Sequence, residues 1–258
     1  MPSSRPSIAE LRAVTQAGIV ERRSAEHWAG RLYMRPLSPY VTRELIRTPV
    51  TPDQLTVAMI VVGLVASVVV AWPGLLTAVV AALLIQLYLL LDCVDGEVAR
   101  WRRRTSATGV YLDRLGHHVV EGAFVVGLGF RAGGGPGTAP SWWFTLGGLA
   151  ALLVVLGKLE SDLVTVARAG AGLPTDRETD PVSRVGGIRS LRRLVAYVPI
   201  HRLVGVIELS LLAVAAAAID AWRGDLLASQ VLLAATGVVA TVVALGHPVT
   251  ILTSERLR

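Results

Sequence analysis

The sequence predicts an all-α polytopic membrane protein, with six transmembrane helices preceded by amphipathic helices at the cytoplasmic interface. Three observations lead to this fold class. Of 258 residues, 53% are hydrophobic and 17% are charged, and the mean hydropathy is +0.57, which is too apolar for an ordinary soluble domain. Long apolar stretches recur between short polar turns, as in chains that cross a bilayer several times. Finally, Lys and Arg concentrate in the segments that would lie on one side.

The apolar stretches divide the chain into two regions. An N-terminal interfacial region covers residues 1–52, and a transmembrane domain covers residues 53–258. The predicted membrane-crossing helices are residues 54–72, 75–91, 109–130, 142–166, 202–221 and 226–252.

The N-terminal region has two sequence signals for helix starts. Ser7 with Glu10 three residues later is typical of a capping box. Ser38 followed by Pro39 predicts the N-cap and first position of a second helix. This second helix would lie in the interface, with four side chains facing inward: Tyr40, Val41, Leu45 and Ile46.

The distribution of basic residues predicts the orientation. Eight Lys or Arg lie in residues 1–52, and the loop 167–200 is also basic, whereas Arg131 and Arg223 alone fall on the other side. By the positive-inside rule, both termini lie in the cytoplasm. The basic segments lack the interleaved aromatic residues of nucleic-acid readers, so we expect no nucleic-acid partner.

Charged residues interrupt the end of the second apolar stretch. Asp92 and Asp95 follow the apolar run directly, and acidic groups at such depth face a cavity, a cation or each other. At 100° per residue they share one helix face with Gly96 and Ala99. A second stripe follows on the next helix: Gly109, Asp113 and His117. Two such stripes can meet across a helical hairpin.

At these residues the sequence becomes similar to a known family. The spacing Asp92-x-x-Asp95-Gly96-x-x-Ala99-Arg100, eight residues, Gly109-x-x-x-Asp113 resembles the signature of the CDP-alcohol phosphotransferases. His117 stands where the family pattern has a fourth aspartate. The resemblance implies a six-helix membrane transferase that moves a phospho-alcohol group from a CDP-alcohol to an alcohol acceptor and releases CMP. The donor would be CDP-diacylglycerol or a CDP-polyol, and the pathway phospholipid or phosphodiester biosynthesis.

The resemblance also implies a metal site. Two divalent cations, Mg²⁺ or Mn²⁺, would be held by Asp92, Asp95, Asp113 and the residue at position 117. A neutral imidazole at His117 can accept the proton of the acceptor hydroxyl, so His117 is the predicted catalytic base. Glu121, one turn further on, is expected to orient it.

A nucleotide pocket is expected beside these residues. The phrase Thr51-Pro52-Asp53-Gln54-Leu55-Thr56 is similar to the TPNxLT segment that precedes the signature in this family. The predicted nucleotide-binding residues are Pro52, Asp53, Thr56, Gly96, Ala99, Arg100 and Gly109.

The acceptor site is predicted from basic residues. An alcohol or phosphorylated polyol acceptor would be held by Lys158, Arg189, Arg192 and Arg193, since arginine recognises phosphate by paired hydrogen bonds. Alternatively, Lys158 forms a structural i, i+4 pair with Asp162, and the loop arginines are anchors.

Two function classes remain open besides the enzyme. Because His117 replaces the fourth aspartate, the chain can also be an inactive family member that acts as a membrane binding or scaffold protein. A transporter is disfavoured, since matching broken helices in the two halves are absent from the sequence. For the enzyme we expect a bacterial cell membrane, a site facing the cytoplasm and the lipid bilayer as partner, with a homodimer as an open alternative to a monomer.

Overall fold

The structure, a computed structural model, describes residues 6–17, 28–173 and 205–253. All of its regular secondary structure within these ranges is helical. A π-helical segment, Gly30–Met34, precedes α2 directly. The α-helices are α1 (Ile8–Thr15), α2 (Arg35–Leu45), α3 (Pro52–Val70), α4 (Leu75–Trp101), α5 (Ala107–Ala132), α6 (Trp142–Gly170), α7 (Val206–Arg223) and α8 (Leu227–Thr253).

The long helices coincide with the predicted apolar stretches. By length and composition, α3, α4 and α8 can each cross a membrane. The helices α5, α6 and α7 fall on the remaining three stretches. The all-α prediction is therefore confirmed for the described residues, and the crossing of a bilayer by all six helices stays a prediction.

The chain forms two compact units. The first contains the described parts of residues 1–66 together with residues 83–119, and the second contains residues 67–82 and the described parts of 120–258. The motif from Asp92 to His117 lies wholly in the first unit.

A buried carboxylate, Glu97 on α4, holds the N-terminal helices of the first unit. Its side chain is fully buried. Glu97 Oε1 accepts hydrogen bonds from Gln16 Nε2 at 2.8 Å and Ser38 Oγ at 2.5 Å, and Oε2 accepts one from Thr42 Oγ1 at 2.6 Å. Arg35 lies 3.7 Å from the same carboxylate. Through these contacts, both α2 and the residue that follows α1 are connected to α4.

This network corrects the predicted start of the second helix. Ser38 and Pro39 lie inside α2, because the Ser38 hydroxyl donates to Glu97 instead of capping a helix. A proline inside a helix leaves the carbonyl four residues earlier without its backbone donor. That carbonyl, of Arg35, accepts from Gln16 Nε2 at 2.8 Å, which makes the proline tolerable. The Ser7 prediction is confirmed, since Ser7 Oγ accepts from the Glu10 amide at 3.1 Å.

The inward face of α2 is largely as predicted. Three of the four expected side chains pack against a core cluster of the first unit, and these three are Val41, Leu45 and Ile46. The cluster itself consists of Leu55, Val94 and Val98. Tyr40 is 52% exposed, so its predicted inward orientation is wrong.

In the second unit, the buried Arg131 is satisfied by neutral oxygen atoms. Its guanidinium donates to the carbonyls of Trp72 and Gly74, both at 2.9 Å, and to Ser229 Oγ at 3.1 Å. Ser229 Oγ in turn donates to Asp220 Oδ2 at 2.5 Å. Arg131 was one of the two exceptions to the charge asymmetry, and its burial in this network gives it a structural role.

Replacing the buried carboxylate should loosen the N-terminal helices. The change Glu97→Ala leaves several buried donors without an acceptor, so we expect a loss of about 3 kcal/mol in stability and a clearly lower melting temperature. The measurement is thermal unfolding in detergent with a thiol-reactive dye, because Cys93 is buried and becomes reactive on unfolding. The control Glu44→Ala, at an exposed position, should melt like the parent. Equal melting of parent and Glu97→Ala would contradict the structural role.

The predicted orientation can be tested with single cysteines in a Cys93→Ser background. Thr48 and Ala139 are both exposed and lie in segments expected on opposite sides of the membrane. On intact cells, an impermeant thiol reagent should label Thr48→Cys only after the cells are opened, and Ala139→Cys without opening. The reverse labelling pattern would invert the topology and place the candidate site outside.

Candidate functional site

Two carboxylates and an imidazole meet between α4 and α5. One ligand atom from each of Asp92, Asp113 and His117 lies within 4.8 Å of the others. His117 Nε2 is 3.1 Å from Asp92 Oδ1 and 3.5 Å from Asp113 Oδ1. The side chains of Asp92, Asp113 and His117 are 23%, 42% and 31% exposed, so a ligand can reach them. The structure therefore brings the two predicted stripes together.

Helical spacing and a close helix contact position this cluster. Asp113 and His117 are four residues apart on α5 and so share one face. Gly116, next to His117 in the sequence, lets α5 approach α3 closely, because a Cβ atom at Gly116 would lie 2.6 Å from Ile60 Cγ1. A larger residue at Gly116 would force the side chain of Ile60 or the helix α5, which carries two of the three ligands, to shift.

A tyrosine that the sequence reasoning missed holds the imidazole. Tyr88 Oη is 2.5 Å from His117 Nδ1, and the two rings are nearly perpendicular, at 88°. Tyr88 is 1% exposed. Tyr88 precedes Asp92 by four residues on α4, so the two side chains lie on the same face of the helix. This spacing could have identified Tyr88 from the sequence.

Glu121 does not orient the imidazole of His117, contrary to the prediction from the sequence. Both ring nitrogens of His117 already have other partners, namely Tyr88 on Nδ1 and the aspartates on Nε2. Glu121 Oε1 instead accepts from Lys158 Nζ in the second unit. The reason is electrostatic, since a carboxylate at this depth is stabilised by an ammonium group more than by a neutral ring.

Asp95 lies outside the three-residue cluster. It is buried, and its Oδ2 accepts from Thr56 Oγ1 at 2.6 Å while its Oδ1 accepts from the Gly96 amide at 2.5 Å. These contacts tie the predicted nucleotide phrase on α3 to the motif on α4. A metal-ligand role for Asp95 stays a proposal.

The donor set of the cluster fits a divalent cation. Carboxylate oxygens suit hard cations such as Mg²⁺ and Mn²⁺, whereas an imidazole nitrogen is a poor ligand for Mg²⁺. With two carboxylates and one imidazole, the cluster matches Mn²⁺ better than Mg²⁺. When Nε2 of His117 binds a cation, Nδ1 carries the ring proton and donates it to Tyr88 Oη.

Some predicted nucleotide residues lie together. Pro52 begins α3, and Asp53 follows in its first turn. A Cβ atom added at Gly109 would be 3.2 Å from Asp53 Oδ1, so the start of α5 lies against the start of α3. Thr56 reaches Asp95, as described above.

Arg100 has a different neighbour from the one expected. Its Nε donates to the carbonyl of Thr15, the last residue of α1, at 2.6 Å. Its guanidinium also covers Gly96, where an added Cβ atom would lie 3.0 Å from one terminal nitrogen. Ala99 is half-buried one residue before it. The motif arginine thus anchors α1, and its nucleotide role stays a proposal.

The predicted acceptor residues are only partly described. Lys158 pairs with Glu121, and its alternative structural pair with Asp162 stays a prediction. The other three predicted residues, Arg189, Arg192 and Arg193, lie outside the described residues.

The family model for CDP-alcohol phosphatidyltransferases matches residues 49–251. This span includes both motif helices, and the chain therefore belongs to that family.

Curated relatives match part of the chain. It is 34% identical over 128 residues, half of its length, to a "Bifunctional IPC transferase and DIPP synthase" of Thermococcus kodakarensis. It is also 34% identical over 109 residues, or 42% of its length, to a "Phosphatidylinositol phosphate synthase" of Streptomyces avermitilis. The matches cover 27% and 43% of those relatives, respectively.

Solved structures of similar fold include Mycobacterium tuberculosis phosphatidylinositol phosphate synthase. Its apo form matches with a TM-score of 0.53 at 16% identity, covering 85% of this chain and 98% of that chain. Other structures of the same protein contain bound CDP-DAG, or manganese and citrate. At this identity the similarity shows a shared fold.

Removing the tyrosine hydroxyl should weaken cation binding. Outer partners that orient a ligating histidine contribute about 10- to 100-fold in metal affinity, so we expect Tyr88→Phe to lower Mn²⁺ affinity by about tenfold. The measurement is loss of the free Mn²⁺ signal in electron paramagnetic resonance. Tyr111→Phe, at an exposed position on α5, is the matched control. Unchanged Mn²⁺ affinity in Tyr88→Phe would show that Tyr88 does not position His117 for a cation.

Proposed function

We propose that the chain is a CDP-alcohol phosphotransferase, which transfers a phospho-alcohol group from a CDP-alcohol to an alcohol acceptor and releases CMP. The observation that carries this proposal is the cluster of Asp92, Asp113 and His117, formed by residues at the family's motif spacing. A divalent cation bound there would neutralise the diphosphate and polarise the phosphorus that is attacked.

The donor is proposed from the relatives and the solved structures. A structure of similar fold contains CDP-DAG, and a curated relative of 34% identity is a phosphatidylinositol phosphate synthase. We therefore propose CDP-diacylglycerol or a CDP-polyol as donor. The contact between Asp53 and Gly109 and the bond from Thr56 to Asp95 support a nucleotide pocket at the start of α3.

The reaction requires a proton acceptor. The acceptor hydroxyl attacks the phosphorus that carries the donor's alcohol, the phosphoanhydride bond to CMP breaks, and the bridging oxygen leaves with CMP. The hydroxyl proton must pass to a base within hydrogen-bond distance. Since Tyr88 occupies Nδ1 of His117, Nε2 is the nitrogen that faces the carboxylates. Nε2 can act either as the base or as a cation ligand, but it cannot do both at the same time.

The acceptor and the cellular setting belong to the same proposal. The acceptor is an alcohol or phosphorylated polyol, and a phosphate-binding role for Lys158 would require its release from Glu121. The site faces the cytoplasm of a bacterial cell membrane, where CDP-alcohols are available. All three clustered residues come from one chain, so a homodimer is not required for this chemistry.

A second candidate function follows from one residue. His117 stands in place of the family's fourth aspartate and bonds to Asp92 and Tyr88 within the cluster. In an inactive member, these bonds would satisfy the side chains without any reaction, and the protein would act as a membrane binding or scaffold protein.

The two functions differ in product formation. Purified protein is incubated with CDP-diacylglycerol or CDP-inositol, a panel of alcohols and phosphorylated polyols, and Mn²⁺ or Mg²⁺, and CMP is measured by mass spectrometry. The enzyme should release CMP, and Asp113→Asn should abolish release because the amide removes the charge that holds the cation. Asp225→Asn, in an exposed turn, is the matched control.

Variants of His117 complete this test. His117→Ala should reduce turnover about 10²- to 10⁴-fold, the usual contribution of a positioned base. His117→Asp should stay active and prefer Mg²⁺ more strongly. If the native protein releases no CMP with any substrate pair while His117→Asp does, the inactive function is correct.

A further inference from the structure

A basic groove lies at the end of α4, in the first unit. It is open to solvent, has a volume of about 690 Å³, and runs along the segment between α2 and α3. Its lining includes Thr48, Trp101 and the three consecutive arginines Arg102, Arg103 and Arg104. None of these residues belongs to the donor, metal or acceptor residues discussed above.

Arg102 builds the wall of the groove. Its guanidinium donates to the carbonyls of Leu45 at 3.1 Å, Thr48 at 2.7 Å and Val50 at 2.5 Å. These bonds fix the segment between α2 and α3 against the end of α4. Carbonyl groups are neutral, so the positive charge of Arg102 is not cancelled by these partners.

Arg103 has an unfavourable backbone conformation. Its φ is 52°, and among the described residues it is the one non-glycine residue with positive φ. The Arg104 amide bonds to the Ala99 carbonyl at 2.9 Å, which is the Schellman pattern that ends a helix. Glycine is the usual residue at this position, and another residue costs about 1 kcal/mol. Backbone strain of this kind is typical of positions where a side chain serves a function.

The charges of the groove are not explained by the fold alone. The helix dipole favours a positive charge near the C-terminus of α4. Arg102 and Arg104 would provide this charge even if residue 103 were a glycine, so the dipole does not explain Arg103. In the described part of the chain, Arg103 and Arg104 are exposed and form no ion pair with a carboxylate. The groove therefore has two exposed guanidinium groups that no carboxylate in the described part of the chain neutralises.

The surroundings of the groove indicate which anion it binds. Trp101 is a residue type enriched at the membrane headgroup level, and it ends a helix apolar enough to cross the bilayer. Ile46 adds an apolar side chain to the lining. Arginine binds phosphate through paired charge-assisted hydrogen bonds. We propose that this groove binds the phosphate headgroup of an anionic phospholipid from the surrounding bilayer, with Arg103 and Arg104 as the contacting side chains.

The variant Arg103→Gly separates binding from stability. Glycine relieves the backbone strain, so the melting temperature, followed by Cys93 reactivity, should equal or exceed that of the parent. Native mass spectrometry in detergent counts bound lipid, with phosphatidylglycerol compared with phosphatidylcholine of the same chains. The parent should prefer phosphatidylglycerol, and Arg103→Gly should bind it about tenfold more weakly. Arg43→Gln, which removes a cation paired with Glu44, should bind phosphatidylglycerol like the parent.

Three results would overturn the proposal. The first is equal binding of the two lipids by the parent, and the second is unchanged phosphatidylglycerol binding by Arg103→Gly. The third is displacement of the lipid by glycerol phosphate at comparable concentration, which would make the ligand a soluble phosphate. The binding assay contains no divalent cation and no CDP-alcohol, and Asp113→Asn should bind the lipid normally. Its outcome is thus independent of whether the proposed transferase reaction occurs.

Discussion

The buried carboxylate of Glu97 is the constraint around which the first unit is built. An ionised carboxylate out of water is very unfavourable unless it is hydrogen-bonded, and here three donors from two separate segments surround it. The donors that satisfy Glu97 also depend on each other. Gln16 satisfies Glu97 and also the Arg35 carbonyl that Pro39 leaves without a donor, so the proline in α2 and the carboxylate in α4 depend on the same amide.

The helix that carries Glu97 also carries the candidate site on its other side. Glu97 follows Asp95 by two positions on the helix, so their side chains point about 200° apart. One face of α4 therefore anchors α1 and α2, and the opposite face presents Asp92 and Tyr88 to α5. Anchoring continues at the helix end, where Arg100 and Arg102 bind main-chain carbonyls of the N-terminal region. A site on a helix held in this way keeps its geometry better than a site on loops.

The sequence was sufficient for the helices and for the meeting of the two motif stripes, because both follow from hydropathy and a period of 3.6 residues. The sequence did not predict the contacts of side chains that bond to residues far away in the chain. Ser38 has every local feature of an N-cap, yet its hydroxyl bonds to Glu97, 59 residues away. Glu121 lies one turn from His117, yet it bonds to Lys158 on α6. Local sequence patterns indicate only contacts between residues close in the chain. A buried polar or charged group is instead stabilised by any partner that completes its hydrogen bonds, however distant in sequence.

The imidazole of His117 affects the geometry of the whole cluster in a way that a carboxylate at this position would not. A carboxylate offers two equivalent oxygens, but an imidazole has two nitrogens pointing in different directions, and both require partners when little water is near. Tyr88 supplies the partner for Nδ1, and Nε2 is thereby directed at Asp92 and Asp113. His117 and Tyr88 thus act as a pair, in which the tyrosine fixes the direction of the imidazole. Because only Nε2 is directed at the two carboxylates, a cation in this cluster would obtain its remaining ligands from other oxygen atoms, such as those of Asp95, water or a phosphate group.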